Sequence, residues 1–264
     1  MTLIASMVFS GGVLIAADSK GTESSTGDLL QDRAYPMEKL YPIGGFLVWG
    51  SSGAEGVAQR TAAAFANDVG TYPGNYQRLV AEIEEHCRTI VKGVIQKELA
   101  ALTIPLHLAM QLRTPPVGQG FLFAGICGGT PWLTEILWDG QMSSYGAGRG
   151  FHAIGSGGLA ALTTYSLLEH HGMNKGPIEG ARCMLYRIVD ACIRSNAAGL
   201  GYPVRMWEIV PGGSRQIPED ELTAISDTVG LWESEERECL KAVAVPAQIN
   251  AAAALAETVD PQTL

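Results

Sequence analysis

Hydrophobic periodicity changes along this chain in blocks, not in a repeating strand–helix alternation, and that restricts what it can fold into. Residues 3–9 and 13–17 are apolar runs containing β-branched side chains, separated by Ser10-Gly11-Gly12, which is hairpin chemistry. Residues 18–36 are polar and rich in Gly, Ser and Thr, and read as a loop. Leu40–Ile43 and Phe46–Trp49 form a second strand pair around Gly44-Gly45. From Gly53 the period lengthens. Val57, Thr61, Phe65 and Val69 recur at helical spacing until Tyr72-Pro73-Gly74, and Leu79, Ile83, Cys87, Ile90 and Val94 mark a second amphipathic helix running to Leu99. Strand patterns return at 105–112, 119–127, 132–138 and 142–154. A third helix opens at Gly155-Ser156 and ends near Gly172, and a fourth follows Pro177 with Ile178, Leu185, Val189 and Cys192 on one face. Val204–Val210 is a closing strand.

Strands and helices grouped this way predict an α+β fold, and two face-to-face sheets, each covered by a helix pair, use every element. The spacing predicts one domain over 2–213. A C-terminal extension, 214–264, follows, with a helix over Glu219–Val243 and then an Ala-rich segment; its apolar residues Leu222, Ile225, Val229, Leu231, Trp232, Leu240 and Val243 exceed what the sandwich requires and are expected at contacts between subunits. The chain shows no internal repeat.

Composition narrows the function classes. At 264 residues the chain can bury a full core, and a charged fraction of only 17% predicts surface hidden against other subunits. A formal net charge of −9 with no basic stripe speaks against nucleic acid as a partner. The five cysteines (Cys87, Cys127, Cys183, Cys192, Cys239) are scattered with no C-x-x-C pair, which predicts reduced thiols and a cytoplasmic protein without zinc site or disulfide framework. The five histidines show no metal-ligand spacing, and no metal or cofactor is implied. No basic residue precedes Lys20, so a secretory leader is not expected, and no run approaches the roughly 18–20 apolar residues needed to span a bilayer.

Four positions suggest chemistry. Thr2 becomes the first residue once Met1 is removed, which its small side chain favours, and no longer segment has to be cut away. A free α-amine and a hydroxyl on one residue make a nucleophile with its own base, because the amine titrates at about 7.7–8.0. Asp18 ends the second apolar run, where a hairpin returns it to the start of the first. Lys39 precedes the third strand; near the threonine it would lower the hydroxyl's pKa. Gly53 opens the first helix, where a backbone N–H at the positive helix end suits an oxyanion. Each has a plain alternative: many chains begin Met-Thr, Asp starts turns, Lys is commonly solvated, and Gly is ordinary at a strand-to-helix turn.

Taken in order, these residues resemble a known family. The opening TLIASMVFSGGVLIAADSKGT resembles the N-terminus of mature proteasome β-type subunits, EKLYPIGGFLVWGSSGAEG resembles their lysine-bearing strand and helix start, and AIGSGGLAALTTYSLLE resembles their Gly-Ser-Gly turn. The likeness runs from residue 2 to residue 213. It implies the αββα four-layer N-terminal-nucleophile (Ntn) hydrolase fold, with a helical tail added, and threonine-type peptidase or amidohydrolase activity in a self-compartmentalising assembly. On it, Thr2 is the nucleophile, Asp18 and Lys39 assist it, Gly53 donates to the oxyanion, and Ser156 supports the N-terminal amine. Gly21, Met37, Ser51 and Glu55 line the pocket for the residue before the scissile bond, with Glu55 favouring a basic side chain. Two departures stand out. About five extra residues separate Asp18 from Lys39, which makes Arg33 a weaker competitor for the lysine's role. Asn196 stands where active members carry an aspartate, in Arg194-Ser195-Asn196-Ala197-Ala198, a segment closer to divergent bacterial homologues such as the Anbu group.

The resemblance further implies a homo-oligomer of at least six subunits, in a ring or open helical ring, acting on a peptide or amide. An ATPase or other accessory partner is left open. Two other readings keep the fold: a catalytically silent ring-forming subunit, which the altered Asn196 segment suits, and an Ntn amidase for a small amide. Retention of Thr2, Asp18, Lys39 and Ser156 favours activity. The turn Gly155-x-Gly157-x-x-Ala160 superficially matches a dinucleotide-binding turn, but the second strand that such a unit requires, ending in an acid, does not follow.

Overall fold

The computed structural model describes residues 2–23, 33–68, 80–103, 105, 108, 119–145, 150–195 and 199–257. Twelve strands and five α-helices are defined within them: β1 (Ile4–Phe9), β2 (Gly12–Asp18), β3 (Lys20–Glu23), β4 (Arg33–Pro36), β5 (Leu40–Ile43), β6 (Leu47–Ser52), α1 (Glu55–Asn67), α2 (Val80–Ala101), β7 (Gly120–Cys127), β8 (Thr130–Leu137), β9 (Met142–Ser144), β10 (Phe151–Ile154), α3 (Gly158–Leu168), α4 (Ile178–Arg194), β11 (Val204–Val210), β12 (Gly213–Gln216) and α5 (Glu219–Glu257). One five-stranded sheet runs β10-β1-β2-β11-β12 and a second runs β5-β6-β7-β8-β9. Every pairing in both is antiparallel. The strand before Gly155 pairs antiparallel with β1, so the dinucleotide-type turn has no parallel unit to belong to.

Alternation along β1 and β2 builds the layers. Leu3, Ala5, Met7, Leu14 and Ala16 join the core under α3 and α4, whereas Ile4, Val13, Ile15 and Ala17 join the core between the two sheets. Both strands are buried on both faces, so they read as continuous apolar runs. Trp49, Phe65, Phe121 and Phe123 fill a third core between the second sheet and α1 and α2. The result is the expected α-β-β-α stack.

Several expectations need correction. The loop read over 18–36 contains a hairpin, β3 with β4, in register Gly21↔Tyr35. The single strand expected over 142–154 is two strands, β9 at the edge of the second sheet and β10 at the edge of the first. The strand expected at 105–112 and the break at Tyr72-Pro73-Gly74 lie outside the described residues, apart from Pro105 and Leu108, neither of which is in a strand. The boundary drawn at 213 falls inside the first sheet, since Val210 pairs with Gly213. Leu222, Ile225 and Val229, expected as surplus apolar surface, are buried in the core under α4. The terminal helix also passes through Pro246 to Glu257 instead of ending at Val243. A proline inside a helix costs about 3 kcal/mol, and the high propensity of the alanines after it works the other way.

Candidate active site

The β1–β2 register places Ile4 opposite Ala17, and the ladder continues with the Asp18 amide donating to the Leu3 carbonyl at 3.2 Å. The hairpin thus returns Asp18 beside Thr2, as its chain position predicts. The Asp18 side chain is fully buried. Its Oδ1 accepts from the Leu3 amide at 2.8 Å and from Lys39 Nζ at 2.7 Å; its Oδ2 accepts from the amides of Lys20 and Gly201, each at 3.3 Å. Lys39, only 2% exposed, also donates to the Lys20 carbonyl at 2.9 Å. Burial lowers the Lys39 pKa below 10.5, and the Asp18 charge opposes that shift without overcoming it.

Thr2 is 7% exposed. Its nitrogen donates to Ser156 Oγ at 3.1 Å, and its carbonyl accepts from the Gly157 amide at 3.2 Å and from Ser156 Oγ at 3.4 Å. The turn at Gly155 makes this possible: φ is +89°, and a Cβ there would stand 2.2 Å from the Thr2 carbonyl oxygen. Any side chain at 155 would push the first strand off Ser156.

Gly53 adopts φ +127° between β6 and α1. One side chain fastens both sides of it. Gln119, buried just before β7, accepts from the Ala54 amide at 2.8 Å and donates to Ser51 Oγ at 3.2 Å and to the Ala54 carbonyl at 3.4 Å. Ala54 has no side-chain cap, so Gln119, from the segment leading into β7, does the capping.

Thr2, Asp18, Lys39 and Ser156 therefore form one connected cluster, with the Gly53 turn at the adjoining end of β6. Asn196 lies outside the described residues.

No family model matches the chain. It is similar to the proteasome subunit beta of Saccharomonospora viridis, 24% identical over 245 residues that cover 89% of this chain and 78% of that one. Its structure resembles an Anbu (Gly-1) mutant from Hyphomicrobium sp. strain MC1, with a TM-score of 0.65 and 14% identity over 91% of this chain and 97% of the other. It also resembles Anbu (ancestral beta-subunit) from Yersinia bercovieri, with a TM-score of 0.62 and 16% identity over 89% and 97%. The fold is the proteasome-like fold of Anbu.

Within this Anbu-like sandwich the residues read as a substrate pocket are more occupied than the sequence suggested. Gly21 lies under the ring of Tyr35, where a Cβ would stand 2.7 Å from Cζ. The Tyr35 hydroxyl donates to Glu55 Oε2 at 2.5 Å, and Gln59 Nε2 donates to Glu55 Oε1 at 2.9 Å. Ser51 is the acceptor of the Gln119 amide, and the Met37 amide donates to the Ser19 carbonyl at 2.8 Å. Sequence reasoning missed Tyr35, Gln119 and Gly201. Tyr35 carried no signal because its segment read as loop; Gln119 and Gly201 are joined to the site only by tertiary contact.

Among the described residues, no group of three or more His, Cys, Asp or Glu side chains could hold a metal ion, and no helix is long and apolar enough to cross a membrane.

Proposed function

We propose that this chain is a threonine-type Ntn amidohydrolase acting on peptides or related amides, with Thr2 as nucleophile once Met1 is removed. The observation that supports it best is the double duty of Asp18, which holds both the Leu3 amide next to Thr2 and the buried Lys39 ammonium. Burying an ion pair carries a desolvation cost of several kcal/mol per ion, which a passive framework has no need to meet.

In the proposed reaction, Thr2 Oγ1 attacks the substrate carbonyl carbon while its proton passes to the Thr2 α-amine. Lys39 stabilises the developing alkoxide, and the Gly53 N–H donates to the carbonyl oxygen as it gains charge. The protonated amine then delivers its proton to the leaving nitrogen as the C–N bond breaks. Water, deprotonated by the same amine, hydrolyses the resulting ester. Ser156 orients the amine, and Gly21, Met37, Ser51 and Glu55 flank the side chain before the scissile bond.

The likeness to the proteasome subunit and to Anbu also supports a homo-oligomer, in a ring or open helical ring of at least six subunits, in the cytoplasm. Exposed apolar residues on α3 (Leu159, Leu167) and α5 (Leu231, Leu240, Val243) suit contacts between neighbours.

A peptide vinyl sulfone tests the chemistry, because Thr2 Oγ1 adds across its double bond and gains the whole probe mass. Intact mass spectrometry is expected to show a chain lacking Met1 and one adduct on Thr2, absent in Thr2→Ala. An unmodified Thr2, or equal labelling of Thr2→Ala, would overturn the proposal.

A further inference from the structure

We propose that Tyr35 sets the substrate class of this site, closing the recess between β3 and the start of α1 so that it takes a small, uncharged side chain. The inference rests on the reading of Thr2 as nucleophile.

Lys20 places this recess beside the reacting groups. Its carbonyl accepts from Lys39 Nζ at 2.9 Å, and Gly21 follows directly. The opposite wall is the turn through Gly53 into Glu55, the first residue of α1. With glycine at 21 and an acid at 55, the family resemblance implies an open pocket with a negative floor, suited to arginine or lysine. The hairpin contradicts that picture. Tyr35 pairs with Gly21 across β3 and β4, and its ring lies over the glycine, with Cζ, Cε2 and Cε1 at 2.7, 2.8 and 3.1 Å from where a Cβ would be. The ring takes the space that the missing side chain leaves.

The same ring reaches the opposite wall. Its hydroxyl bonds Glu55 Oε2 at 2.5 Å while Gln59 Nε2 occupies Oε1 at 2.9 Å, so both carboxylate oxygens already have a donor. Tyr35 thus spans the recess from wall to wall. An incoming guanidinium or ammonium must displace the phenol from Glu55 and the ring from Gly21 before it meets any charge. A methyl-sized side chain has no charge to bring to Glu55 and is expected to need neither movement.

The test compares tripeptide vinyl sulfones with alanine or arginine next to the reactive group, reading the rate of Thr2 modification by intact mass. The wild-type chain is expected to react faster with the alanine probe. Tyr35→Ala removes the ring and frees Glu55, and is expected to move the rate ratio toward the arginine probe by roughly tenfold or more. Tyr35→Phe frees the carboxylate but keeps the ring, and gives a smaller shift. Adding Glu55→Gln to Tyr35→Ala is expected to cancel most of the gain for arginine, with urea unfolding of each variant as the control for folding. An unchanged ratio in Tyr35→Ala, with Thr2 still reacting, overturns the role of Tyr35 and leaves the nucleophile standing. Absence of any Thr2 adduct with either probe overturns the nucleophile, and this inference falls with it.

Discussion

Removing either member of the Asp18–Lys39 pair should damage the protein very unequally. Asp18 accepts from the amides of Leu3, Lys20 and Gly201 as well as from Lys39 Nζ. In Asp18→Ala all four donors lose this acceptor at a fully buried position, although Lys39 Nζ keeps the Lys20 carbonyl. Leaving a buried charge without its partner typically costs about 3–5 kcal/mol, and each orphaned amide adds about 1–3 kcal/mol where water cannot reach it. Lys39 can shed its proton, which limits the charge component. About 4–6 kcal/mol in total is a fair expectation, a large part of the roughly 5–15 kcal/mol that holds a domain folded. In Lys39→Met the carboxylate keeps its three amide donors and a side chain of similar length fills the space, so the loss is about 1–3 kcal/mol. Urea unfolding at fixed protein concentration measures both, the concentration being held because assembly contributes to apparent stability. The double variant should be less destabilised than the sum of the singles, since it strands no charge. If Lys39→Met proves as damaging as Asp18→Ala, the account of Asp18 as the organising acceptor is wrong.

Four shorter predictions concern the titration of Lys39, the Gly53 turn and the exposed end of α5. Because burial lowers the Lys39 pKa, the ammonium is lost on the way up to pH 10.5, and the Thr2 labelling rate should fall on the alkaline side before that value; Lys39→Arg should extend the plateau upward. In the window between the folded value and 10.5 the unfolded chain binds the extra proton, so Lys39's contribution to stability rises with pH there, and pH-dependent urea titrations of wild type and Lys39→Met should show that sign. Gln119→Ala releases both sides of the Gly53 turn and should slow amide turnover by about 10²–10³-fold, with a stability loss of only about 1–3 kcal/mol; a normal rate would show that the turn holds itself. Leu240→Asp with Val243→Asp should shift light-scattering mass toward smaller species while the melting of the sandwich stays close to wild type; an unchanged mass removes α5 from the contacts between subunits.

Local chemistry made much of this molecule legible in its sequence. Both glycine-centred hairpins, the four sandwich helices and the return of Asp18 to Thr2 follow from period, turn residues and short-range register, which act over a few residues and need no partner. Ser156 at the Thr2 nitrogen, 154 residues along the chain, was implied only by the family resemblance, and the contact of Gln119 with Ala54, 65 residues away, was implied by nothing in the sequence. Both contacts come from the pairing of strands far apart in the chain, β1 with β10 and β6 with β7, and no local pattern encodes such a pairing. The same limit explains the pocket. Gly21 and Glu55 read as open space and free charge because an amino-acid string shows which side chains are present, not which neighbour fills the gap. Tyr35, in a segment with no strand period, fills it once β3 and β4 pair. The terminal helix shows the converse: its apolar residues were plain in the sequence, but only packing under α4 decided that Leu222, Ile225 and Val229 close this subunit's own core, while Leu240 and Val243 remain exposed.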